Sequence, residues 1–182
     1  MKIKRLYKKE IDFIYKKYVV NHFDEDELRP LKSIKYLYKK KLYKCFKAVV
    51  DNVTVGYAFF YVNGDDILLD YFGIIDKYRS KGYGSLFLRK ILKKLKKKTI
   101  YIEVEDPDFS INENDRFIRE RRINFYSRNG VYLSDLKVLL FDVNYRIMTS
   151  KSNDYETTKN HFLNMYISMM PLRNFEKNVV VY

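Results

Sequence analysis

The stretch Leu68-Leu69-Asp70-Tyr71-Phe72-Gly73-Ile74-Ile75-Asp76-Lys77-Tyr78-Arg79-Ser80-Lys81-Gly82-Tyr83-Gly84-Ser85 carries an apolar, aromatic run into a turn with two glycines. The run reads as a strand. Beyond it Leu88, Ile91, Leu92 and Leu95 recur at i, i+3, i+4 and i+7, the period of a helix with one face on a sheet. Glycines separated by one residue let the main chain approach an anion closely. The amides of a strand-to-helix turn point out of a helix N-terminus that carries about half a positive charge. Read from its residues alone, Arg79 to Ser85 is either a diphosphate cradle or an ordinary glycine-containing loop. It lacks the Gly-Lys-Ser/Thr ending of a P-loop and the third glycine of a dinucleotide fingerprint.

Working outward, Tyr43 to Val50, Thr54 to Val62 and Ile67 to Ile75 are β-branched and aromatic runs separated by Asp51-Asn52 and Asn63-Gly64-Asp65, which predicts an antiparallel meander of three strands. Before it, the first six residues alternate weakly as a strand. Lys8 to Tyr18 spaces Ile11, Ile14, Tyr15 and Tyr18 as a helix, and Pro30 to Tyr38 starts another after the acidic loop Asp24-Glu25-Asp26-Glu27. After the meander come a helix (Gly84 to Lys97), a strand (Thr99 to Val104), a loop with Pro107, a helix (about Asp115 to Arg128), and two strands near Tyr132 to Tyr145 and Phe162 to Met170. This order predicts one α/β domain over residues 1–182, a mixed, mostly antiparallel sheet flanked by helices on both faces.

The strand, the Arg-x-x-Gly-x-Gly turn and the amphipathic helix together resemble the acetyl-coenzyme A binding segment of the GNAT acyltransferase superfamily. Forty-odd residues on, Ile123-Asn124-Phe125-Tyr126-Ser127-Arg128-Asn129-Gly130-Val131 resembles that superfamily's second recognisable segment, with Val131 in place of the usual Phe. The resemblance spans roughly Tyr43 to Met170. It implies a GNAT-like fold and an N-acetyltransferase that moves acetyl from acetyl-coenzyme A to a primary amine by direct attack in a ternary complex. It also implies that the backbone of Phe72, Gly73 and Ile74 runs beside the pantetheine arm. By the same likeness Arg79, Ser80, Lys81, Gly82, Tyr83, Gly84 and Ser85 hold the diphosphate, and Tyr126 protonates the departing thiolate. Arg119 stands seven residues before this tyrosine, where the family often has an Asn that contacts the coenzyme.

Amine attack needs a group to take the amine's proton. Glu103 and Glu105 lie two apart on the strand after the coenzyme helix, so they share one face, with Ile102 and Val104 on the other. They read equally as general-base candidates or as solvated strand carboxylates, with Asp70 a weaker alternative. Glu103, Glu105, Asp106 and Asp108 place four carboxylates in six residues of an otherwise basic chain, which suits a cationic acceptor such as a polyamine, an amino sugar or a lysine side chain.

The formal charge of +13, from 36 Lys+Arg against 23 Asp+Glu, permits an anionic partner. A chain with two alanines and no glutamine, crowded with Lys, Asn, Ile and Tyr, points first to genomic base composition. Two alternatives therefore stand beside the enzyme: a non-catalytic acyl-coenzyme A binding module, and a nucleic-acid-associated basic module using Lys32 to Lys41 with Arg89, Lys90 and Lys93. One cysteine and two histidines leave no Cys/His zinc site and fit a reducing compartment. With no apolar run of membrane-spanning length, the expectation is a cytoplasmic, metal-free protein. Cys45 reads as core, and His22 and His161 as surface or structural residues. Phe162 to Met170 and Asn178 to Tyr182 are candidate strands for pairing in a homodimer.

Overall fold

The computed structural model describes residues 1–182, with only the backbone of Asp26, so that one side chain of the acidic loop lies outside the described residues. Eight strands are hydrogen-bonded in the order β1-β2-β3-β4-β5-β7-β6-β8. The chain divides into two compact units, Met1–Val62 with Leu69–Leu95 and Asn63–Leu68 with Lys96–Tyr182.

The first unit opens with β1 (Lys2–Arg5) and α1 (Lys8–Ile14), then a wider π turn (Tyr15–Val19), the short α2 (Val20–His22) and a 3-10 turn (Glu25–Glu27). It continues with α3 (Leu31–Lys39), β2 (Tyr43–Val50), β3 (Val53–Asn63), β4 (Asp66–Ile74), a 3-10 turn (Asp76–Tyr78) and α4 (Tyr83–Lys94). Antiparallel β1 pairs Ile3 with Ala48, and antiparallel β2 pairs Cys45 with Phe59. The predicted Asp51-Asn52 turn forms with both residues at positive φ, 47° and 62°, the primed turn that matches strand twist. Edge-to-face rings build the core: Tyr43 against Phe59 at 6.2 Å, Tyr57 against Phe59 at 5.9 Å, Phe59 against Tyr71 at 6.0 Å. Each such pair adds about 0.5–1.5 kcal/mol beyond burial of its area. Phe72 stacks on Phe87 of α4 at 5.2 Å, and Phe87, Leu88 and Ile91 are the buried stripe of that helix.

The second unit contains the beginning of β4 and then β5 (Thr99–Glu105), a 3-10 turn (Pro107–Phe109), α5 (Glu113–Ser127), β6 (Tyr132–Leu140), β7 (Val143–Thr149), α6 (Tyr155–Met169), α7 (Leu172–Asn178) and β8 (Val179–Val181). Asp66, Ile67 and Leu68 of β4 pair in parallel with Thr99, Ile100 and Tyr101 of β5. β5 with β7, β6 with β7 and β6 with β8 are antiparallel.

Two sequence expectations fail here. The segment Tyr132 to Tyr145 is a hairpin, not one strand, turning at Phe141 and Asp142 with φ of 49° and 67°. Phe162 to Met170 is the end of a helix, not a strand. Asp154 accepts a hydrogen bond from the Thr157 N–H at 2.8 Å and starts that helix, which buries Thr158, Phe162, Met165 and Tyr166. The spacing i, i+4, i+7, i+8 is helical, and it outweighs the strand-like composition of the segment. Only Val179–Val181 of the two proposed pairing strands is therefore a strand, at the end of the sheet order beside β6.

Candidate active site

In the first unit β4 delivers the main chain of Phe72, Gly73 and Ile74 to the turn that leads into α4. Gly73 is crowded by design of its neighbour: a Cβ there would stand 2.6 Å from Cζ and Oη of Tyr57. The Arg79 Nε donates to the Ile74 carbonyl at 3.1 Å, and its Nη2 reaches Asp76 at 2.8 Å. Gly82 occupies the N-cap of α4 at φ +75° with nothing within 4 Å of where a Cβ would be. Only a residue free of Cβ strain takes this conformation readily. The first helical bond runs from Leu86 N–H to the Gly82 carbonyl at 3.2 Å. The amides of the first turn thus face off the helix end, where the helix dipole favours an anion. Arg79, Ser80, Lys81 and Gly82 are exposed, and Tyr83, Gly84 and Ser85 half-buried. A loop-to-helix turn open to solvent, with a glycine at its cap, fits a diphosphate.

In the second unit Glu103 and Glu105 are both half-buried on β5 while Ile102 and Val104 are buried, the alternation expected. Their partners differ. Glu103 accepts a hydrogen bond from the hydroxyl of Tyr166 on α6. Glu105 is gripped by two guanidinium groups, Arg119 at 3.1 Å and Arg122 at 2.9 Å. Arg119 also reaches Asp115 at 3.0 Å and donates to the Asp106 carbonyl at 2.9 Å. It therefore ties α5 to the end of β5. Lys137 takes both remaining carboxylates of the acidic run, Asp106 and Asp108, at 3.2 Å each. Glu105, Asp106 and Asp108 are thus paired with cations of the chain itself.

Tyr126 lies at the end of α5, 8% exposed, beside Phe125 with ring centroids 5.2 Å apart. Burial pushes its phenol up to about 12, while the Arg122 charge pulls the other way. The group is therefore protonated across the physiological range. The helix closes as the sequence suggests: Gly130 takes φ +88° and Val131 N–H returns to the Tyr126 carbonyl at 3.2 Å.

Asp70, the weaker base candidate, is held by Arg29 at 2.9 Å and by the Tyr43 hydroxyl, in a knot that also joins Tyr71 to the Arg29 amide. Cys45 is fully buried, and burial pushes its thiol up. His161 pairs with Asp66 at 3.0 Å. Among the described residues no cluster of His, Cys, Asp and Glu could hold a metal ion. Among the described residues no helix is long and apolar enough to cross a membrane.

A family model for the GNAT acetyltransferases matches residues 8–112, more than half of the chain. The chain belongs to the GNAT acetyltransferase family. Solved structures share the fold. One is a protein of Bacteroides thetaiotaomicron described as a GNAT-family acetyltransferase, 20% identical, with 89% of this chain and 93% of that one covered at a TM-score of 0.75. A chimeric spermidine N-acetyltransferase from Vibrio cholerae is 13% identical over 82% of this chain and 95% of its own, TM-score 0.58. An aminoglycoside 6'-N-acetyltransferase complexed with coenzyme A is 16% identical over 84% and 99%, TM-score 0.55. No curated protein sequence matches this chain. The GNAT chain is accordingly an acetyltransferase.

Tyr166, Arg122, Lys137 and the pair His22–Tyr57 escaped sequence reasoning. For Tyr166 the helical spacing from Thr158 was the available signal. Nothing in the sequence pairs Lys137 with residues about thirty positions away.

Proposed function

We propose that this acetyltransferase carries acetyl from acetyl-coenzyme A to a primary amine by direct attack in a ternary complex. The observation that carries the reading is the Gly82 cap at φ +75°, set between β4 and α4 in a chain of this family. Phe72, Gly73 and Ile74 offer main-chain groups to the pantetheine amides, and the turn from Arg79 to Ser85 holds the diphosphate through its amides and the helix dipole. Bound there, acetyl-coenzyme A supplies an activated acyl group. Tyr126 gives a proton to the departing thiolate; burial pushes its phenol up to about 12, so the proton is in place at neutral pH. Glu103 accepts the amine's proton, directly or through a water. Glu105 is the less suitable base because two guanidinium groups hold its oxygens.

Spermidine and aminoglycosides, named for two of the structural relatives, are cationic amines. We propose the same acceptor class here.

Thiol release with cationic and neutral amines, for the parent, Tyr126→Phe and Glu103→Gln, tests the assignment. Each substitution is expected to lower turnover roughly 100-fold with coenzyme affinity nearly unchanged. Unaltered turnover in Tyr126→Phe returns that residue to packing, and equal use of neutral and charged amines removes the cationic acceptor.

A further inference from the structure

His22, set aside on sequence grounds, is tied to the edge of the diphosphate turn. Its side chain is only 6% exposed, with Nδ1 2.8 Å from the Tyr57 hydroxyl and Nε2 3.2 Å from Oδ1 of Asp76. The same Oδ1 lies 2.8 Å from the Arg79 guanidinium. One carboxylate oxygen thus serves two donors, one buried imidazole and one half-exposed guanidinium that opens the diphosphate turn. With a neutral ring, Nε2–H donates to Asp76 and Nδ1 accepts from the Tyr57 O–H.

We propose that Asp76 holds Arg79 in the free protein and competes with the diphosphate for it, with His22 as the second donor to the same carboxylate oxygen. On this reading a bound diphosphate draws the guanidinium from Asp76 and leaves that oxygen to His22, so that coenzyme binding takes up a proton. The inference rests on the proposed coenzyme site and adds the groups that regulate it. The charged and titratable groups facing His22 are Asp76 and Arg79 from the turn after β4, Tyr57 from β3, and Tyr18 from its own helical segment, 6.1 Å ring to ring.

The sign follows from the charges. In the free protein burial holds the imidazole below the ordinary histidine range, the Arg79 charge adds to that, and Asp76 opposes it. Removing Arg79 takes away a repulsive charge and leaves the attractive one, so the imidazole pKa rises on binding. The affinity gained this way is full below the free-protein pKa and is lost as pH rises through the bound-state pKa. Phosphate groups on the coenzyme titrate near pH 6 themselves, so His22→Gln, which keeps an amide toward Asp76 but no titrating ring, is the reference.

The test is calorimetry of coenzyme A binding in buffers of different ionisation enthalpy, from about pH 5.5 to about pH 8. Relative to His22→Gln, the parent is expected to take up part of a proton and to tighten about threefold or more toward acid pH. Asp76→Asn is expected to tighten binding about twofold at neutral pH, because a competitor for Arg79 is gone. A merely structural Asp76 would weaken binding when replaced. Equal proton uptake in parent and His22→Gln overturns the inference while the coenzyme site stands, and so does weaker binding by Asp76→Asn. Absence of binding to the parent at every pH overturns the coenzyme site and this inference together.

Discussion

Gly73→Ala probes the closest approach in the coenzyme strand. The added Cβ would lie 2.6 Å from Cζ and Oη of Tyr57 and 2.9 Å from its Cε1, so ordinary contact at 3.4 Å requires a shift of about 0.8 Å. Rotation of a loose side chain cannot supply it. Tyr57 is fully buried, its hydroxyl is 2.8 Å from His22, and its ring packs on Phe59 at 5.9 Å. Overpacking of this size costs about 1–3 kcal/mol. Alanine recovers some of that, because glycine in a strand forfeits about 0.5–1 kcal/mol of backbone entropy. The expected net loss is about 1.5 kcal/mol, a fall in Tm of about 3–6 °C for a chain of this size. Urea denaturation with parallel thermal melts measures both. The decisive comparison is the same substitution in a Tyr57→Leu background, which has no Cζ or Oη to meet. There Gly73→Ala should cost under about 0.5 kcal/mol, a coupling of about 1 kcal/mol in the double-mutant cycle. An equal cost in both backgrounds would refute the contact as the cause.

Gly82→Val puts a β-branched residue at φ +75°, where surrounding space is open, so conformational strain alone should cost about 1–2 kcal/mol and coenzyme binding should fall while far-UV circular dichroism is retained. Since burial raises the Tyr126 phenol to about 12, its capacity as an acid should be constant between about pH 7 and pH 10. A pH–rate profile with an alkaline limb near pH 8.5 that vanishes in Tyr126→Phe would contradict that environment. Asp154→Ala removes the cap of α6 and should cost about 1 kcal/mol by denaturant melt. No loss would mean the helix start is stabilised elsewhere.

What the sequence disclosed was what repeats at short range. The meander was legible because Asp51-Asn52 and Asn63-Gly64-Asp65 are residue types that take positive φ, and α4 because Leu88 and Ile91 share a face. Phe141-Asp142 hid its turn: phenylalanine rarely enters the left-handed region, and Val138 to Phe141 read as an apolar run carried past a lone Asp142 to Val143. The Glu103–Glu105 alternation was readable too, but which carboxylate is held by arginines was not. Arg119 and Arg122 come from α5, and register between a helix and a strand is fixed by packing that no local pattern encodes. The same holds for His22, whose partners lie on β3 and in the turn after β4.

The π turn at Tyr15–Val19, where Val20 N–H reaches the Tyr15 carbonyl, holds one residue more than an α-helical path would need. Such wide turns occur as single bulges within otherwise α-helical segments. Lys16 and Lys17 are exposed within it, while Tyr15 and Val19 are buried on either side. Deleting Lys16 or Lys17 should therefore turn this stretch into a regular α-helical turn and leave Ile11 and Ile14 upstream and His22 downstream in place, a shortening that a regular helix with buried residues at both ends does not accommodate.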